Sequence, residues 1–220
     1  MDIIYIDFCK VFDKVDHKIL MSKLNTVRLC GKLLTWIESF LSNCKQEVVI
    51  NHATSEPVEM ISGVPQGSVL GPLLFIIMIS DIDESISYSS LSSFADKTRL
   101  KKAVQELMDT FKLQEDLNRV YKWAAENNMI LNGKIFEHIH YGNQIKGNRY
   151  FTEHSKIIQE KPAVKDLGVV LSKDTTFKQH INGILKRATE LVGWVLRTLK
   201  SREKDVMIIL WKFLVIPHLD

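Results

Sequence analysis

Ser62-Gly63-Val64-Pro65-Gln66-Gly67-Ser68-Val69-Leu70-Gly71-Pro72 is the most informative stretch of this 220-residue chain. Gly63, Pro65 and Gly67 make a turn whose backbone can enter conformations closed to other residues. The segment that follows, Val69 to Ile79, is apolar, and Pro72 near its start suits the first turn of a helix. The pattern predicts a buried helix. Its apolar run, Leu73 to Ile79, is far short of the roughly 20 residues that span a bilayer, so no membrane partner is expected.

Working outward from this turn, the elements alternate in type. Ile3-Ile4-Tyr5-Ile6 is apolar on both faces and β-branched, as a buried central strand is. Asp7 follows it, at the kind of sheet edge where ligands bind, though a carboxylate there serves equally well to cap a turn. Leu33, Ile37 and Phe40/Leu41 have helical spacing after Gly31. Gln46 to Ile50 and Val58 to Ile61 read as short strands, with a turn-rich loop over residues 51–57. Ser92 to Asp96 and Thr98 to Leu100 are β-compatible with a turn between them. Val104 to Ala124 is an amphipathic helix, Phe136 to Tyr141 a strand, and Asn143 to Arg149 a polar loop. Gly168 to Leu171 reads as a strand. Ile181 to Leu199 and Val206 to Leu214 carry apolar stripes of helical period. The class expected is α/β (α+β).

Hydrophobic residues make up 45% and charged residues 25%, which excludes a disordered, collagenous or disulfide-stapled chain. The net charge of +3 is too small for a chain-wide grip on nucleic acid. The charge is uneven, however: residues 161–220 hold 11 of the 29 basic and 6 of the 26 acidic side chains. A slightly acidic α/β body over residues 1–160 precedes a basic, helical part over residues 161–220. Cys9, Cys30 and Cys44 form no CxxC pair, which points to a reducing compartment, the cytoplasm or nucleus. The N-terminus has no basic signal region.

Asp96, like Asp7, is a carboxylate at a strand end. Two such aspartates on adjacent strand tips can share Mg²⁺, which takes hard oxygen ligands. Two ions about 4 Å apart would activate a 3′-hydroxyl and stabilise a leaving pyrophosphate. Two aspartates by themselves are a weak signal, since turns commonly contain Asp. His138 and His140 share a strand face, but with no third ligand near, a structural or exposed role is expected. Trp36 and Trp123 are expected in the core. Lys178, Lys186, Arg187, Arg197, Lys200, Arg202 and Lys204 suit phosphate contacts or a solvated helix face.

The turn segment resembles that of the reverse transcriptases of non-LTR retrotransposons, of the jockey-like and chicken-repeat-like kinds. Three further stretches agree in order. Tyr5-Ile6-Asp7-Phe8-Cys9-Lys10-Val11-Phe12-Asp13 resembles the first palm motif. Phe94-Ala95-Asp96-Lys97 resembles the family's Phe-Ala-Asp-Asp box, and Lys165-Asp166-Leu167-Gly168-Val169 the stretch around the primer grip. The resemblance implies a polymerase palm with an antiparallel sheet and packed helices over residues 1–160. A primer-grip strand and partial helical thumb would follow over residues 161–220. It implies RNA-directed DNA synthesis on an RNA template from a DNA primer and deoxynucleoside triphosphates, with Mg²⁺ or Mn²⁺. Asp7 and Asp96 would hold the metal, Phe12 would lie under the incoming sugar, and Pro65, Gln66 and Gly67 would position the template base and nucleotide.

Three departures from the family pattern bear on activity. Lys97 stands where the family has a second aspartate, a change of two formal charges beside the metal site. Lys134 comes one position early and Ile135-Phe136 replace Lys-Cys, in a stretch whose lysine assists the leaving pyrophosphate. A one-residue slip in a strand would turn that side chain to the other face. The fingers that precede the first motif are expected to be missing. The function expected is therefore an impaired reverse transcriptase domain, with a non-catalytic nucleic-acid-binding remnant as the alternative.

Overall fold

The computed structural model describes residues 1–95, 97–142, 148–199 and 203–219. The chain divides into two compact units, Met1–Glu160 and Lys161–Asp220.

The first unit is built on β1 (Asp2–Asp7), the middle strand of a five-stranded sheet. β7 (Lys97–Lys102) and β8 (Glu137–His140) flank it, both antiparallel. β6 (Ser90–Phe94) lies beyond β7, and β9 (Gln159–Glu160) pairs with β8 in parallel as the one departure from the expected antiparallel order. Alternation along a strand sends successive side chains to opposite faces. Ile4, Ile6 and Leu100 therefore share one face, where they join Leu20, Leu24, Ile37, Leu74, Phe75, Met78, Leu113 and Leu117 in a single core. Those partners come from helices α1 (His17–Thr26), α2 (Lys32–Leu41), α3 (Leu70–Ile79) and α4 (Leu107–Glu126). Helices thus cover that face, as the α/β reading expects.

Details differ from the sequence reading. α1 was not expected; Asp16 caps it, accepting from the amides of Lys18 and Ile19 at 2.9 and 3.1 Å. The expected strands at 46–50 and 58–61 are four short pieces, β2 (Lys45–Gln46), β3 (Val49–Ile50), β4 (Ala53–Thr54) and β5 (Val58–Glu59). β2 pairs β5 and β3 pairs β4. Asn51 and His52 both have positive φ, at 47° and 67°, as a two-residue primed hairpin turn requires. Trp123 is buried as expected, but Trp36 is 53% exposed. It stacks on Phe40 at 5.9 Å instead of entering the core.

The second unit holds β10 (Ala163–Asp166) and β11 (Val169–Ser172), an antiparallel hairpin. Leu167 and Gly168 close it, both with positive φ. Helices α5 (Lys178–Thr198) and α6 (Lys204–Leu210) follow, and the chain widens into a π-helical turn over Trp211–Val215. Its buried apolar side chains include Ala188, Val195 and Val215. No helix among the described residues is long and apolar enough to cross a membrane.

Candidate active site

Asp7 ends β1, and the loop after it carries Phe12 and Asp13. The register of β1 is held past the strand: the Asn132 amide donates to the Asp7 carbonyl at 2.9 Å and the Cys9 amide to that of Ile130 at 2.7 Å. Asp7 lies opposite Lys97 across the β1–β7 pair. Cross-strand partners project on the same face, and the Lys97 ammonium stands 3.9 Å from Asp7 Oδ1. Asp96 lies outside the described residues.

Two backbone hydrogen bonds bring the glycine-proline turn against the loop after β1. The Gly63 amide donates to Val15 O at 2.8 Å and the Val64 amide to Phe12 O at 2.7 Å. Gly63 has φ +93°, and a Cβ there would lie 2.8 Å from Phe12 O and 2.9 Å from Asp13 Cα. Only glycine fits, because the left-handed backbone and the close approach act together. His17 Nε2 reaches Gly63 O at 2.6 Å, and since a carbonyl only accepts, Nε2 carries the proton. Gln66 Nε2 donates to Asp13 Oδ1 at 3.0 Å, which ties the exposed Gln66 to the loop after β1. Gly67, also exposed, has φ +79°, and Pro65 is half-buried. Phe12 is half-buried against Phe75 of α3, ring centroids 5.3 Å apart. The structure thus brings the 63–66 turn against the loop that carries Phe12 and Asp13, whereas Asp7 meets Lys97 and Asn132.

Lys134 and Ile135 are exposed in a turn that precedes β8, closed by the Ile135 amide on Asn132 O at 3.1 Å. They are not in a strand, so the expected alternation of faces does not apply to them. In the second unit, Lys178, Lys186, Arg187, Arg197 and Lys204 are exposed, whereas Lys200 and Arg202 lie outside the described residues.

Sequence reasoning missed a buried polar cluster at the other end of β1. Asp2 is fully buried. It accepts from His140 Nδ1 and Asn148 Nδ2, and from Tyr150 Oη at 2.5 Å, while His138 Nε2 stands 3.3 Å away. Burial pushes the Asp2 carboxyl up, but the hydrogen bonds from His138, Tyr150, Asn148 and His140 outweigh it and hold the group well below the usual range. Burial and the Asp2 charge push the Tyr150 phenol up. The two histidines are therefore structural. Among the described residues no group of three His, Cys, Asp or Glu side chains converges as a metal site.

Residues 3–171 match the family model described as reverse transcriptase (RNA-dependent DNA polymerase). The RNA-directed DNA polymerase from the mobile element jockey of Drosophila funebris is 27% identical over 98% of the chain. A probable RNA-directed DNA polymerase from the X-element of Drosophila melanogaster is 29% identical over 91% of it. The chain spans about a quarter of the length of these curated relatives, 25% and 23%. Among solved structures, a telomerase from Candida albicans superposes with a TM-score of 0.55 over 79% of this chain and 29% of its own, at 13% identity. That likeness is one of fold, and it fits a polymerase palm.

Proposed function

This chain belongs to the reverse transcriptase (RNA-dependent DNA polymerase) family, and from that premise we propose that it is a retrotransposon palm and partial thumb whose nucleotidyl transfer is impaired at the metal site. Residues 1–160 would be the palm, and residues 161–220 the primer-grip strand and partial thumb. Its substrates would be an RNA template, a DNA primer and deoxynucleoside triphosphates, met in the cytoplasm or nucleus. Pro65, Gln66 and Gly67 would seat the template base and nucleotide, with Phe12 under the sugar.

The observation that carries the impairment is the ion pair between Lys97 and Asp7 at 3.9 Å. The family generally uses divalent metal ions, which Asp7 and Asp96 would hold as Mg²⁺ or Mn²⁺. Hard cations need oxygen ligands, and here the face of β7 opposite Asp7 supplies an ammonium. A pair of divalent ions does not fit beside it. Unit like charges about 4 Å apart repel by roughly 4 kcal/mol at an effective dielectric of 20. Each 1.4 kcal/mol lowers a rate about tenfold, so a loss of about three orders of magnitude is expected.

Primer extension on a poly-A template with an oligo-dT primer in Mg²⁺ tests this reading. The native chain should be silent and Lys97→Asp should extend the primer. Extension by the native chain at the rate of the variant would overturn it. The exposed basic side chains of α5 favour a second reading, a non-catalytic nucleic-acid-binding remnant. Retained duplex binding with both chains silent would select that one.

A further inference from the structure

We propose that the free edge of β6 and the apolar groove beside it form a docking site for an extended peptide, one that pairs with β6 as an added strand and carries an apolar residue next to a lysine or arginine.

The strand edge is the first feature. β6 is the outermost strand of the five-stranded sheet. Phe94 and Lys97 are register partners that close the β6–β7 hairpin across two residues, and such a closing pair exchanges hydrogen bonds. Ser92 and Ser90 repeat its phase, so the N–H and C=O groups of Leu91 and Ser93 point away from β7. The far side of the sheet gives the same phase. The Asp7 carbonyl accepts from Asn132 on the β8 side, which leaves Ile6 and Ile4 to bond Thr98 and Leu100, and Lys97, Arg99 and Lys101 to bond β6. Natural edges are protected by charge, proline, a bulge or a cover. Ser90-Leu91-Ser92-Ser93-Phe94 has neither charge nor proline, and among the described residues no strand pairs with its outer side.

A cavity of about 470 Å³ beside the end of β6 is the second feature, within the size range of ligand pockets. It is lined by Phe75, Ile76 and Ile79 of α3, Ile82 of the 3₁₀ turn Ile82–Ser85, and Ser93 and Phe94 of β6. Ile76 and Phe94 are 55% and 63% exposed. Alternate side chains of a strand added to β6 turn to the face that carries Leu91 and Ser93. Leu91 packs against the core on the helix side, so those side chains reach the cavity. Open edge and adjoining pocket together make the arrangement by which sheets capture extended peptides.

Charge selects the occupant. Asp83 is the one charged side chain among the described lining residues, and Glu84 is exposed beside it. Asp81 is already held by Lys23 at 2.5 Å. The mouth therefore attracts a cation and repels a polyanion such as nucleic acid. A second copy of β6 would bring serines, a leucine and a phenylalanine but no cation, which favours a peptide of different sequence.

Random heptapeptides displayed on phage and selected against the full chain supply the probes. Enriched sequences, synthesised with a fluorescent label, are then titrated by anisotropy. They should share an apolar residue beside lysine or arginine. Ser93→Pro removes an outward N–H while leaving the bonds to β7 in place, and should weaken binding by about tenfold or more. Asp83→Lys should weaken the same peptides by about fivefold or more, and peptides with the basic residue changed to glutamate should recover on it. Circular dichroism verifies each fold. N-methylation of alternate peptide amides repeats the edge test on the native chain, with a loss of about tenfold in one phase and little in the other. No enrichment, or enriched peptides that bind the native chain and both variants alike, would overturn the proposal. So would a native dimer in sedimentation velocity that Ser93→Pro makes monomeric, which would give the edge to a second copy. Loss of primer–template binding in Ser93→Pro with no peptide enriched would give the groove to nucleic acid instead.

Discussion

Replacing Asp2 by asparagine should be among the most destabilising single changes in the first unit. Asp2 has no exposed surface, and its two oxygens face His138, His140, Asn148 and Tyr150. The carboxylate only accepts, so His140, Asn148 and Tyr150 donate to it, with the His138 ring 3.3 Å away. An asparagine turns one acceptor into a donor aimed at other donors and removes the charge that the cluster is built around. Removing one partner of a buried charged network costs about 3 to 5 kcal/mol. Tyr150 and Asn148 stand some 146 to 148 positions from Asp2 in the chain, so the loss should loosen β1 against β8 and the 148–150 segment together. Hydrogen exchange reads this directly. Amides of β1 and β8 should exchange faster by a factor of about a hundred to several thousand, while those of α5 stay as they were. The pH dependence has a definite sign. Because the folded carboxyl is held below its ordinary value, its contribution is complete above about pH 4 and drains away as the pH falls from there toward the folded value. The acid-labile part of native stability should therefore be smaller in Asp2→Asn. An increase in exchange of less than about tenfold, or an unchanged acid profile, would refute the reasoning.

Further changes have expected outcomes of different sizes. Gly63→Ala places a Cβ 2.8 Å from Phe12 O at φ +93°; a loss of at least about 2 kcal/mol in urea unfolding is expected, from strain and overlap together. Asp16→Ala removes the cap of α1 and the acceptor for Asn128 Nδ2 at 2.9 Å, and should lower stability by about 1 kcal/mol. Asp81→Ala leaves the Lys23 ammonium, now 2.5 Å from Asp81 and 2.6 Å from Met78 O, without its carboxylate, and strips Trp123 Nε1 of its acceptor at 3.0 Å. About 2 to 3 kcal/mol should be lost in urea unfolding, with Trp123 fluorescence shifting as its indole loses that bond.

Legibility in the sequence followed the range of the interactions. β1, α3, α4 and α5 bury apolar side chains at the period of their own geometry, and that period is written locally. α1 buries only Leu20 and Leu24; Asp16 followed by leucines four apart was the available signal. The 45–59 hairpins have exposed strands, so alternating burial left no trace, and only the Asn51-His52 turn could have marked them. Asp2 and its partners lie more than 135 positions apart, and no local pattern records such a meeting. The meeting of the 62–72 turn with the loop that carries Phe12 left no trace in periodicity. Its cause, the backbone bonds of Gly63 and Val64 to the loop after β1, needed coordinates. Trp36 shows the converse error, in which helical spacing was right and the face was wrong.

The same alternation that builds the sheet separates its stability from its chemistry. Ile4, Ile6, Thr98 and Leu100 bear the packing on one face, and Asp7 and Lys97 meet on the other. A substitution at position 97 is therefore free of the core. The native ion pair is long, at 3.9 Å, with the lysine side chain 48% exposed, and pairs of that kind contribute about 0 to 1 kcal/mol. Lys97→Asp would put two carboxylates opposite each other, with a repulsion between about 1 kcal/mol in water and 4 kcal/mol at a dielectric of 20. The variant should therefore melt a few degrees below the native chain in EDTA. A divalent ion binding only the folded variant would raise its midpoint again, whereas Mg²⁺ should leave the native midpoint in place. A native chain stabilised by Mg²⁺ as much as the variant would mean that Lys97 does not occupy the cation's position. The face would then be an ordinary metal site with a lysine at its rim.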